Sequence, residues 1–239
     1  MNILITGGAS GLGGAITRKL ATEPANYVYY TYNKSFDKAE IIQNTFSNAK
    51  CIKCDFTDPA EVDNLIDQMR NWDLQVLINN AISGLTVNHF HKIEPSVFQD
   101  SFINNIIPTI KITQQAIQIF RKRKFGKIIT VLSSLLVSTP PLGLSEYVAN
   151  KAYLASLSKS WAVENAAFNI TSNCISPSFM QTNLTRDTDE RIIDEMIAKS
   201  PLKKLLTPEE VSDAVLCLMN ITQHINGINL VINSATDVV

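Results

Sequence analysis

The chain opens on the stretch Asn2-Ile3-Leu4-Ile5-Thr6-Gly7-Gly8-Ala9-Ser10-Gly11-Leu12-Gly13-Gly14, and this stretch decides the fold. Its first residues form a short apolar run of the kind found in buried strands, and a helical pattern follows at 13–20. Glycines between a strand and a helix allow positive φ and a close approach of the backbone to a ligand. Unpaired N–H groups and the positive end of the helix dipole then point at one spot. The stretch therefore predicts an anion site that suits a pyrophosphate.

The same strand-and-helix unit repeats along the whole chain. Strands are predicted at 3–5, 27–32, 49–54, 76–78, 127–132, 170–175 and 229–232, and helices at 13–20, 36–45, 59–70, 97–121, 147–166, 187–199 and 208–218. This alternation predicts an α/β fold, a single domain over residues 1–239 with a doubly wound parallel sheet and helices on both faces. Ligands of such sheets bind at the C-terminal ends of the strands.

Tyr147 and Lys151 stand four residues apart in a stretch predicted to be helical, so their side chains lie on one face. A phenol titrates near pH ~10 in water, and a nearby cation favours the phenolate. We therefore expect Lys151 to lower the pKa of Tyr147 and Tyr147 to act as a general acid or base. Two serines, Ser133 and Ser134, follow a predicted strand shortly before this helix.

Length and composition describe an ordinary globular protein. The 239 residues carry a net charge of -1, with 45% hydrophobic and 18% charged residues. So small a charge gives no general attraction to nucleic acid or to an anionic membrane. No apolar run approaches the ~18 residues of a spanning helix, and no signal peptide precedes the first strand. A cytoplasmic protein is therefore expected.

The cysteines and histidines do not predict a metal site. Cys51 and Cys54 have the spacing of a metal-binding pair, but residues three apart in a strand point to opposite faces. No second pair or histidine cluster accompanies them. We expect free thiols at the four cysteines and a solvated loop at His89 and His91.

Taken together, these motifs resemble those of the short-chain dehydrogenase/reductase family along nearly the whole chain, and most of all its 3-oxoacyl-carrier-protein reductase-like branch. The resemblance implies a Rossmann-like fold and an NAD(P)-dependent oxidoreductase that transfers a hydride between nicotinamide and a carbonyl or alcohol. It places the following residues around the cofactor: Thr6, Gly7, Ser10, Gly11, Leu12, Gly13, Asn33, Lys34, Asp55, Phe56, Asn79, Asn80, Ala81, Tyr147, Lys151, Pro177, Ser178, Met180 and Thr182.

The resemblance also implies a catalytic tetrad. Tyr147 donates or accepts the proton, Lys151 holds the nicotinamide ribose, and Asn105 keeps a water in a relay to Lys151. A serine that binds the substrate oxygen completes the tetrad. Counting forward from Asn105 selects Ser133, whereas counting back from Tyr147 selects Ser134, because one residue is inserted between them. Strand parity decides which side chain faces the site, and we favour Ser133 with Ser134 as the alternative.

The chain departs from the family pattern at glycine positions. Ile82 and Ser178 stand where the family usually has glycine, so the backbone there must avoid positive φ or accept strain. The usual glycine pair near the C-terminus reads Asn233-Ser234-Ala235, which leaves the C-terminal contacts of the cofactor site unassigned.

The segment after the strand at 27–32 bears on the choice between NAD and NADP. An acidic residue there would bind the adenosine ribose hydroxyls of NAD and repel the extra phosphate of NADP. The chain reads Tyr32-Asn33-Lys34-Ser35, with no carboxylate and with a lysine. NADP is therefore favoured, with NAD as the alternative, although Ser10 replaces the usual arginine of the glycine loop.

The substrate is expected to be a small molecule, and the branch resemblance favours a 3-oxoacyl thioester. An alcohol, polyol or sugar dehydrogenase is the second hypothesis, and a nucleotide-binding regulator without turnover is the third. Residues 183–199 are predicted to form a lid. The basic run Arg121-Lys122-Arg123-Lys124 either meets an acidic acyl carrier protein or complements the dipole of its own helix.

A homo-oligomer, a tetramer or a dimer, is also expected. The helices predicted at 97–121 and 147–166 carry more apolar residues than a single stripe against the sheet requires, and two-fold contacts between such helices would cover the excess. The residues concerned are Ile106, Ile110, Ile117, Phe120, Leu154, Leu157 and Trp161.

Overall fold

The computed structural model describes residues 1–182 and 184–238, so Asn183, the first residue of the predicted lid, lies outside the described residues. At its centre is a parallel sheet with the strand order β3-β2-β1-β4-β5-β6-β7. Its strands are β1 (Asn2–Ile5), β2 (Tyr27–Tyr32), β3 (Ala49–Lys53), β4 (Val76–Asn79), β5 (Gly126–Val131), β6 (Ile170–Pro177) and β7 (Asn229–Ile232). The predicted doubly wound sheet is confirmed, and the order reverses between β1 and β4, where such folds bind ligands.

Helices cover both faces of this sheet. They are α1 (Gly11–Ala21), α2 (Phe36–Thr45), α3 (Pro59–Met69), α4 (Pro95–Ser101), α5 (Ile107–Arg123), α6 (Ser145–Asn165), α7 (Glu190–Lys199) and α8 (Pro208–Asn220). One core layer joins the sheet to α1, α2 and α8, and the other joins it to α3, α5 and α6. Neighbouring residues of β1 show the alternation, because Ile3 and Ile5 enter the first layer and Leu4 enters the second.

The helix predicted at 97–121 is interrupted in the structure. A π-helical turn at Phe102–Ile106 separates α4 from α5. Pro108 explains the break because it has no N–H to donate to the carbonyl of Asn104. That carbonyl instead lies 3.4 Å from the hydroxyl of Ser83, whose one proton is shared between this carbonyl and the closer Oδ1 of Asn105. The proline was a readable signal, since a proline inside a helical pattern marks a break or a kink.

Several further expectations can be compared with the structure. All four cysteines are free, and Cys51 and Cys54 contact opposite core layers. Among the residues that the structure describes, no group of three or more His, Cys, Asp or Glu side chains is arranged to hold a metal ion. Within the same ranges, none of the helices is both long and apolar enough to cross a membrane.

The apolar residues expected on the surface of α5 and α6 lie mainly inside the chain. Four of them are buried in the core and three are half-buried against it, so this part of the assembly argument was wrong: their side chains face the sheet and its loops. The buried residues are Ile106, Phe120, Leu154 and Trp161, and the half-buried ones are Ile110, Ile117 and Leu157. Different apolar residues of this region are exposed, namely Ile103, Ile107, Tyr153 and Val163.

Candidate active site

A cavity of about 620 Å³ lies at the C-terminal edge of the sheet, formed by the segments that follow β1 to β6. It brings together most of the residues predicted from the sequence. Thr6, Asn79 and Asn105 do not line it and lie behind its wall. The predicted residues that do line it are Gly7, Ser10, Gly11, Leu12, Gly13, Asn33, Lys34, Asp55, Phe56, Asn80, Ala81, Ser133, Ser134, Tyr147, Lys151, Pro177, Ser178, Met180 and Thr182.

The turn after β1 requires glycine at two positions, for different reasons. Gly7 has a φ of +65°, in the left-handed region. A Cβ at Gly13 would lie 2.1 Å from the carbonyl oxygen of Gly7, which is far inside van der Waals contact. Thr6 braces the turn from behind, because its hydroxyl accepts hydrogen bonds from the N–H groups of Asn80 and Ala81 at 3.0 and 3.1 Å. The loop is therefore held in one shape.

The N-terminus of α1 opens into the same cavity. Ser10 is the N-cap residue, but its hydroxyl makes no capping hydrogen bond to the first turn. The first-turn N–H groups around Gly11 and Leu12 therefore remain available, together with the positive end of the helix dipole. A helix start of this kind fits the diphosphate of a dinucleotide.

Tyr147 lies in the first turn of α6, and Lys151 follows one turn later on the same face. The Nζ atom of Lys151 lies 5.7 Å from the centre of the Tyr147 ring. The same atom donates a hydrogen bond to the main-chain carbonyl of Val131 at 2.8 Å. The end of β5 therefore fixes the position of the buried ammonium.

Burial acts on the pKa of both groups. It raises the pKa of the Tyr147 phenol, and a hydrogen bond with Ser133 opposes this rise. It lowers the pKa of Lys151 to about 8, and the neighbouring Cys174 thiol opposes this fall. The expectation that Lys151 brings the pKa of Tyr147 below its ordinary value is therefore wrong in this structure, because desolvation of the phenol dominates.

The two candidate serines occupy different positions at the end of β5. Both are buried and both line the cavity. Ser133 precedes the one-turn 3-10 helix Ser134–Leu136, and its Oγ accepts a hydrogen bond from the N–H of Leu135 at 3.3 Å. Ser133 is also the side chain whose hydrogen bond lowers the pKa of Tyr147. The choice of Ser133 stays a prediction, which this effect on the pKa of Tyr147 favours.

Asn105 lies in the π-helical turn, behind the loop that follows β4. Its Oδ1 accepts hydrogen bonds from the N–H and the hydroxyl of Ser83 at 2.6 and 3.0 Å. Its Nδ2 donates to the carbonyl oxygen of Ser101 at 3.0 Å, and its own carbonyl accepts from the hydroxyl of Thr109 at 2.7 Å. The side chain thus holds Ser83, which lines the cavity, in place.

The segments after β2 and β3 meet at one end of the cavity. Burial by itself would raise the pKa of Asp55, but hydrogen bonds from Thr57 and Asn33 and the charge of Lys34 hold it below its usual value. The N–H and the hydroxyl of Thr57 lie 2.9 and 2.8 Å from Oδ1 of Asp55. Phe56 lines the cavity beside them. This end combines a carboxylate, an amide and an exposed lysine.

The segment after β6 approaches the glycine loop from the opposite side. A Cβ at Gly11 would lie 3.4 Å from Cβ of Thr182, so these two parts of the wall are in near contact. The N–H of Thr182 donates to the hydroxyl of Thr185 at 2.9 Å, and that hydroxyl donates to the carbonyl of Met180 at 2.7 Å. These bonds tie Thr185 to Met180 and to Thr182.

The structure distinguishes between the departures from the family pattern. Ile82 and Ser178 both avoid positive φ, and the N–H of Ser178 continues the strand pairing by donating to Ile232 at 2.9 Å. Ser234 and Ala235, in contrast, have φ values of 56° and 59°. The backbone keeps a left-handed conformation there without glycine, so the strain lies near the C-terminus.

The apolar part of the cavity wall was not identified by any sequence motif, although the predicted lid at 183–199 includes α7. This part of the wall is formed by the loop after β4, the loop before α6, the segment after β6 and one side of α7. The i and i+4 spacing of two apolar residues on α7 was a readable signal, whereas the loops offered none. The apolar residues include Leu85, Val87, Leu142, Phe179, Ile192 and Met196. Among the described lining residues, only Lys34, Asp55 and Lys151 are charged.

Comparison with known proteins agrees with this geometry. The family model described as short chain dehydrogenase matches residues 1–192. The 3-oxoacyl-(acyl-carrier-protein) reductase FabG of Escherichia coli (strain K12) is 28% identical over 235 residues, which cover 94% of this chain and 95% of that protein. The reductase of the same name from Rickettsia typhi is 29% identical over 233 residues, which cover 96% of this chain and 94% of that protein.

Solved structures share the fold. An actinorhodin polyketide ketoreductase with NADPH has a TM-score of 0.87 at 20% identity over 99% of this chain and 97% of that one. A short chain dehydrogenase/reductase family protein has a TM-score of 0.86 at 27% identity, with 98% and 96% covered. Because the family match spans residues 1–192 and its glycine loop, Tyr147 and Lys151 line one cavity, this chain belongs to the short chain dehydrogenase family and is a nicotinamide-dependent oxidoreductase.

Proposed function

We propose that the protein reduces an uncharged carbonyl compound with NADPH, and that a 3-oxoacyl thioester is the leading substrate class. The observation that carries the proposal is the convergence of Tyr147, Ser133 and Lys151 on the cavity that also holds the glycine loop. A proton donor, a neutral hydrogen-bond donor and a cation thus share one site. This combination suits the reduction of a carbonyl group.

The chemistry that a reduced nicotinamide supplies when bound is hydride transfer to the carbonyl carbon. Tyr147 donates its phenol proton to the carbonyl oxygen, where negative charge develops. The hydroxyl of Ser133 donates a hydrogen bond to the same oxygen. Lys151 stabilises the phenolate left on Tyr147 and is the residue that would hold the ribose hydroxyls. Because burial raises the pKa of Tyr147, the phenol is protonated near neutral pH, as a proton donor must be.

Three features support NADPH as the cofactor. Lys34 is exposed at the end of the cavity that the segments after β2 and β3 form. Among the described residues, no ion pair within 4.0 Å includes this lysine, although its charge also acts on Asp55 at the same end of the cavity. The segment after β2 carries Asn33 and Ser35 and no carboxylate. An additional ribose phosphate is therefore attracted at this position.

The apolar wall supports a substrate with an uncharged, hydrophobic body. Side chains such as Val87, Leu142 and Met196 give a hydrocarbon chain a surface on which it loses contact with water. A polyol or sugar would instead need hydrogen-bond partners for each hydroxyl, because an unpaired buried hydroxyl is unfavourable. A 3-oxoacyl thioester is therefore favoured as the substrate over a polyol or a sugar.

The basic run Arg121-Lys122-Arg123-Lys124 does not support docking of a carrier protein beside the cavity. It ends α5 directly before β5 begins, and so lies at the N-terminal edge of the sheet, opposite the site. Arg121 donates to Asn165 at 2.8 Å, and Arg123 pairs with Asp73. The run complements its own helix, and an acyl carrier protein that delivers the thioester would have to dock at the cavity mouth instead.

We also propose a homo-oligomer, a dimer or a tetramer. The exposed apolar residues Ile103, Ile107, Tyr153 and Val163 lie on the segment from α4 to α5 and on α6. Two-fold contacts between these elements would remove such residues from water.

The absorbance of NADPH tests the proposed function directly. Purified protein is mixed with NADPH and with acetoacetyl thioesters, neutral ketones or sugars, and oxidation of the nicotinamide is followed. Thioesters and neutral ketones are expected to be reduced, and sugars are not. The Tyr147→Phe variant is the control: its rate should fall by roughly 10²-fold or more while its affinity for NADPH is kept, because only the proton donor is lost. Unchanged turnover in this variant would contradict the proposed role of Tyr147.

A further inference from the structure

The first turn of α6 carries Tyr147, but no side chain among the described residues caps it. The N-cap residue is Leu144, whose side chain cannot accept a hydrogen bond. The hydroxyl of Ser145 is buried and has no hydrogen-bond partner among the described residues. Some other contact must therefore fix the turn that holds the phenol.

That contact is made by Glu146, the residue before Tyr147. Its side chain is buried, with only 5% of the residue exposed. Its Oε1 accepts a hydrogen bond from the hydroxyl of Ser101 on α4, and a second from Nδ2 of Asn150 at 2.7 Å. The amide of Asn150 also lies 2.8 Å from Oγ of Ser101. These bonds join the first turn of α6 to the end of α4 and to the next turn of its own helix.

Ser101 extends the connection to the cavity wall. Its Oγ accepts from Nδ2 of Asn105 at 3.1 Å, and Oδ1 of Asn105 accepts from the N–H of Ser83 at 2.6 Å. A hydroxyl has one proton and two lone pairs. Because Ser101 accepts from Asn105 and Asn150, its single proton is directed to Glu146. The direction of every bond in the chain from Glu146 to Ser83 is thereby fixed.

A carboxylate at this position is not explained by stability. Burying an ionised carboxylate is unfavourable unless it is well paired, and replacing such a group by an apolar side chain is often neutral or stabilising. Among the described residues, the ion pairs within 4.0 Å do not include Glu146. The hydrogen bonds of Glu146 instead indicate that it holds Ser101 and Asn150 in position.

We propose that Glu146 is a positioning residue, which sets the phenol of Tyr147 against the Ser83 side of the cavity through the chain Glu146, Ser101, Asn105 and Ser83. The proposal rests on the proposed role of Tyr147 as proton donor. A proton donor displaced by about 1 Å can lose roughly 10²-fold in rate. Most of the residues expected to bind NADPH lie on the glycine loop and on the segments after β2, β3 and β6, so the affinity for NADPH should change little.

Steady-state kinetics of three variants test the proposal, with rates normalised to the number of NADPH-binding sites. Glu146→Ala is expected to lower kcat by roughly tenfold to a hundredfold, with the KM for NADPH within about twofold of the wild type. Glu146→Gln should recover most of the rate, because its amide oxygen accepts the same two hydrogen bonds. The matched control is Glu164→Ala, an exposed glutamate on the same helix, which should leave kcat unchanged. Equal losses in the Ala and Gln variants would overturn the proposal.

A double variant tests whether Ser101 and Glu146 act through the same series of hydrogen bonds. If they do, Ser101→Ala combined with Glu146→Ala should be no slower than the slower single variant, because either change already breaks the connection. Losses that multiply would mean that the two residues act separately, which would also overturn the proposal.

Hydrogen exchange provides a readout that does not depend on turnover. Glu146→Ala should speed amide exchange at residues 82–85 and 145–150, and Glu164→Ala should speed neither. Unchanged exchange in both segments of Glu146→Ala would refute the positioning role. If the wild type reduces no carbonyl with NADPH, the proposed function fails, and this comparison still decides whether Glu146 holds the two segments.

Discussion

The ammonium of Lys151 donates a hydrogen bond to the main-chain carbonyl of Val131 at 2.8 Å. This bond holds a buried cation at the end of β5, and burial lowers its pKa from the ordinary 10.5 to about 8. Among the described residues, the protein therefore holds a charge in its interior at neutral pH with one neutral acceptor. Such an arrangement favours function at the expense of stability.

The first prediction concerns the stability of Lys151→Met. Below about pH 8 the folded wild type must keep a buried cation. Between about pH 8 and 10.5 it binds fewer protons than the unfolded chain, so the stability contributed by this group rises with pH. The Lys151→Met variant lacks this pH-dependent contribution to stability. The stability of the wild type relative to the variant should therefore rise by up to about 3 kcal/mol between pH 7 and pH 10.

Urea unfolding at the two pH values measures the difference. At pH 7 the variant gains stability because it no longer holds a buried cation. It also leaves the carbonyl of Val131 without a hydrogen-bond donor, which costs about 1–3 kcal/mol and offsets part of that gain. Lys159→Met, at an exposed lysine of the same helix, is the control and should show no such change with pH. A difference for Lys151→Met that is the same at pH 7 and pH 10 would contradict the prediction.

The second prediction separates the two serines. Ser133→Ala should lower kcat by about a hundredfold, because it removes the hydrogen bond to the developing oxyanion. Ser134→Ala should change kcat by less than about threefold, because Ser133 is the serine whose interaction with the phenol lowers the pKa of Tyr147. Steady-state oxidation of NADPH with one carbonyl substrate measures both, and similar losses in the two variants would show that the assignment is wrong.

The fold and the cofactor side of the cavity were readable from the sequence because their signals are local. A strand, a glycine turn and a helix follow one another within residues 2–21, and the spacing of Tyr147 and Lys151 is one helical turn. In a parallel sheet the C-terminal ends of all strands lie at one edge, so the strand pattern alone predicts that the motifs after these strands come together.

Features that depend on contacts between distant segments could not be read. The pKa of Tyr147 rises because of burial by several segments, which no local pattern reports. Ser83 meets Asn105 only because the loop after β4 folds against the π-helical turn. The seven apolar residues assigned to an outer surface were misplaced for the same reason, since a count of apolar residues does not say which neighbours cover them.

The third prediction is that the protein binds NADPH more tightly than NADH and that Lys34 contributes to the difference. Lys34→Ala should weaken binding of NADPH by roughly tenfold and leave NADH unchanged, because only the additional phosphate meets the lysine. Lys38→Ala, an exposed lysine of α2 outside the cavity wall, is the control. Titration calorimetry with both cofactors decides the matter, and equal or reversed affinities in the wild type would count against NADP.

The fourth prediction concerns strain near the C-terminus. Ala235 has a φ of 59°, and a residue with a Cβ is about 1–2 kcal/mol less stable there than in the right-handed region. Ala235→Gly should therefore raise the melting temperature by about 2–4 °C, after part of the gain is lost to the greater freedom of glycine in the unfolded chain. Ala198→Gly in α7 should lower it instead, because glycine disfavours a helix. A lower melting temperature for Ala235→Gly would contradict the strain argument.

The fifth prediction concerns assembly. Light scattering behind a sizing column should give two or four times the 26.5 kDa of the single chain. Ile103→Glu and Val163→Glu should each shift the mass towards the monomer, because a carboxylate at a buried interface is poorly solvated. Leu202→Glu changes an exposed apolar residue outside these elements and should leave the mass unchanged. A wild-type particle near 26.5 kDa at micromolar concentration would exclude the assembly, since the exposed isoleucines would then remain in water at a concentration where two-fold contacts should already form.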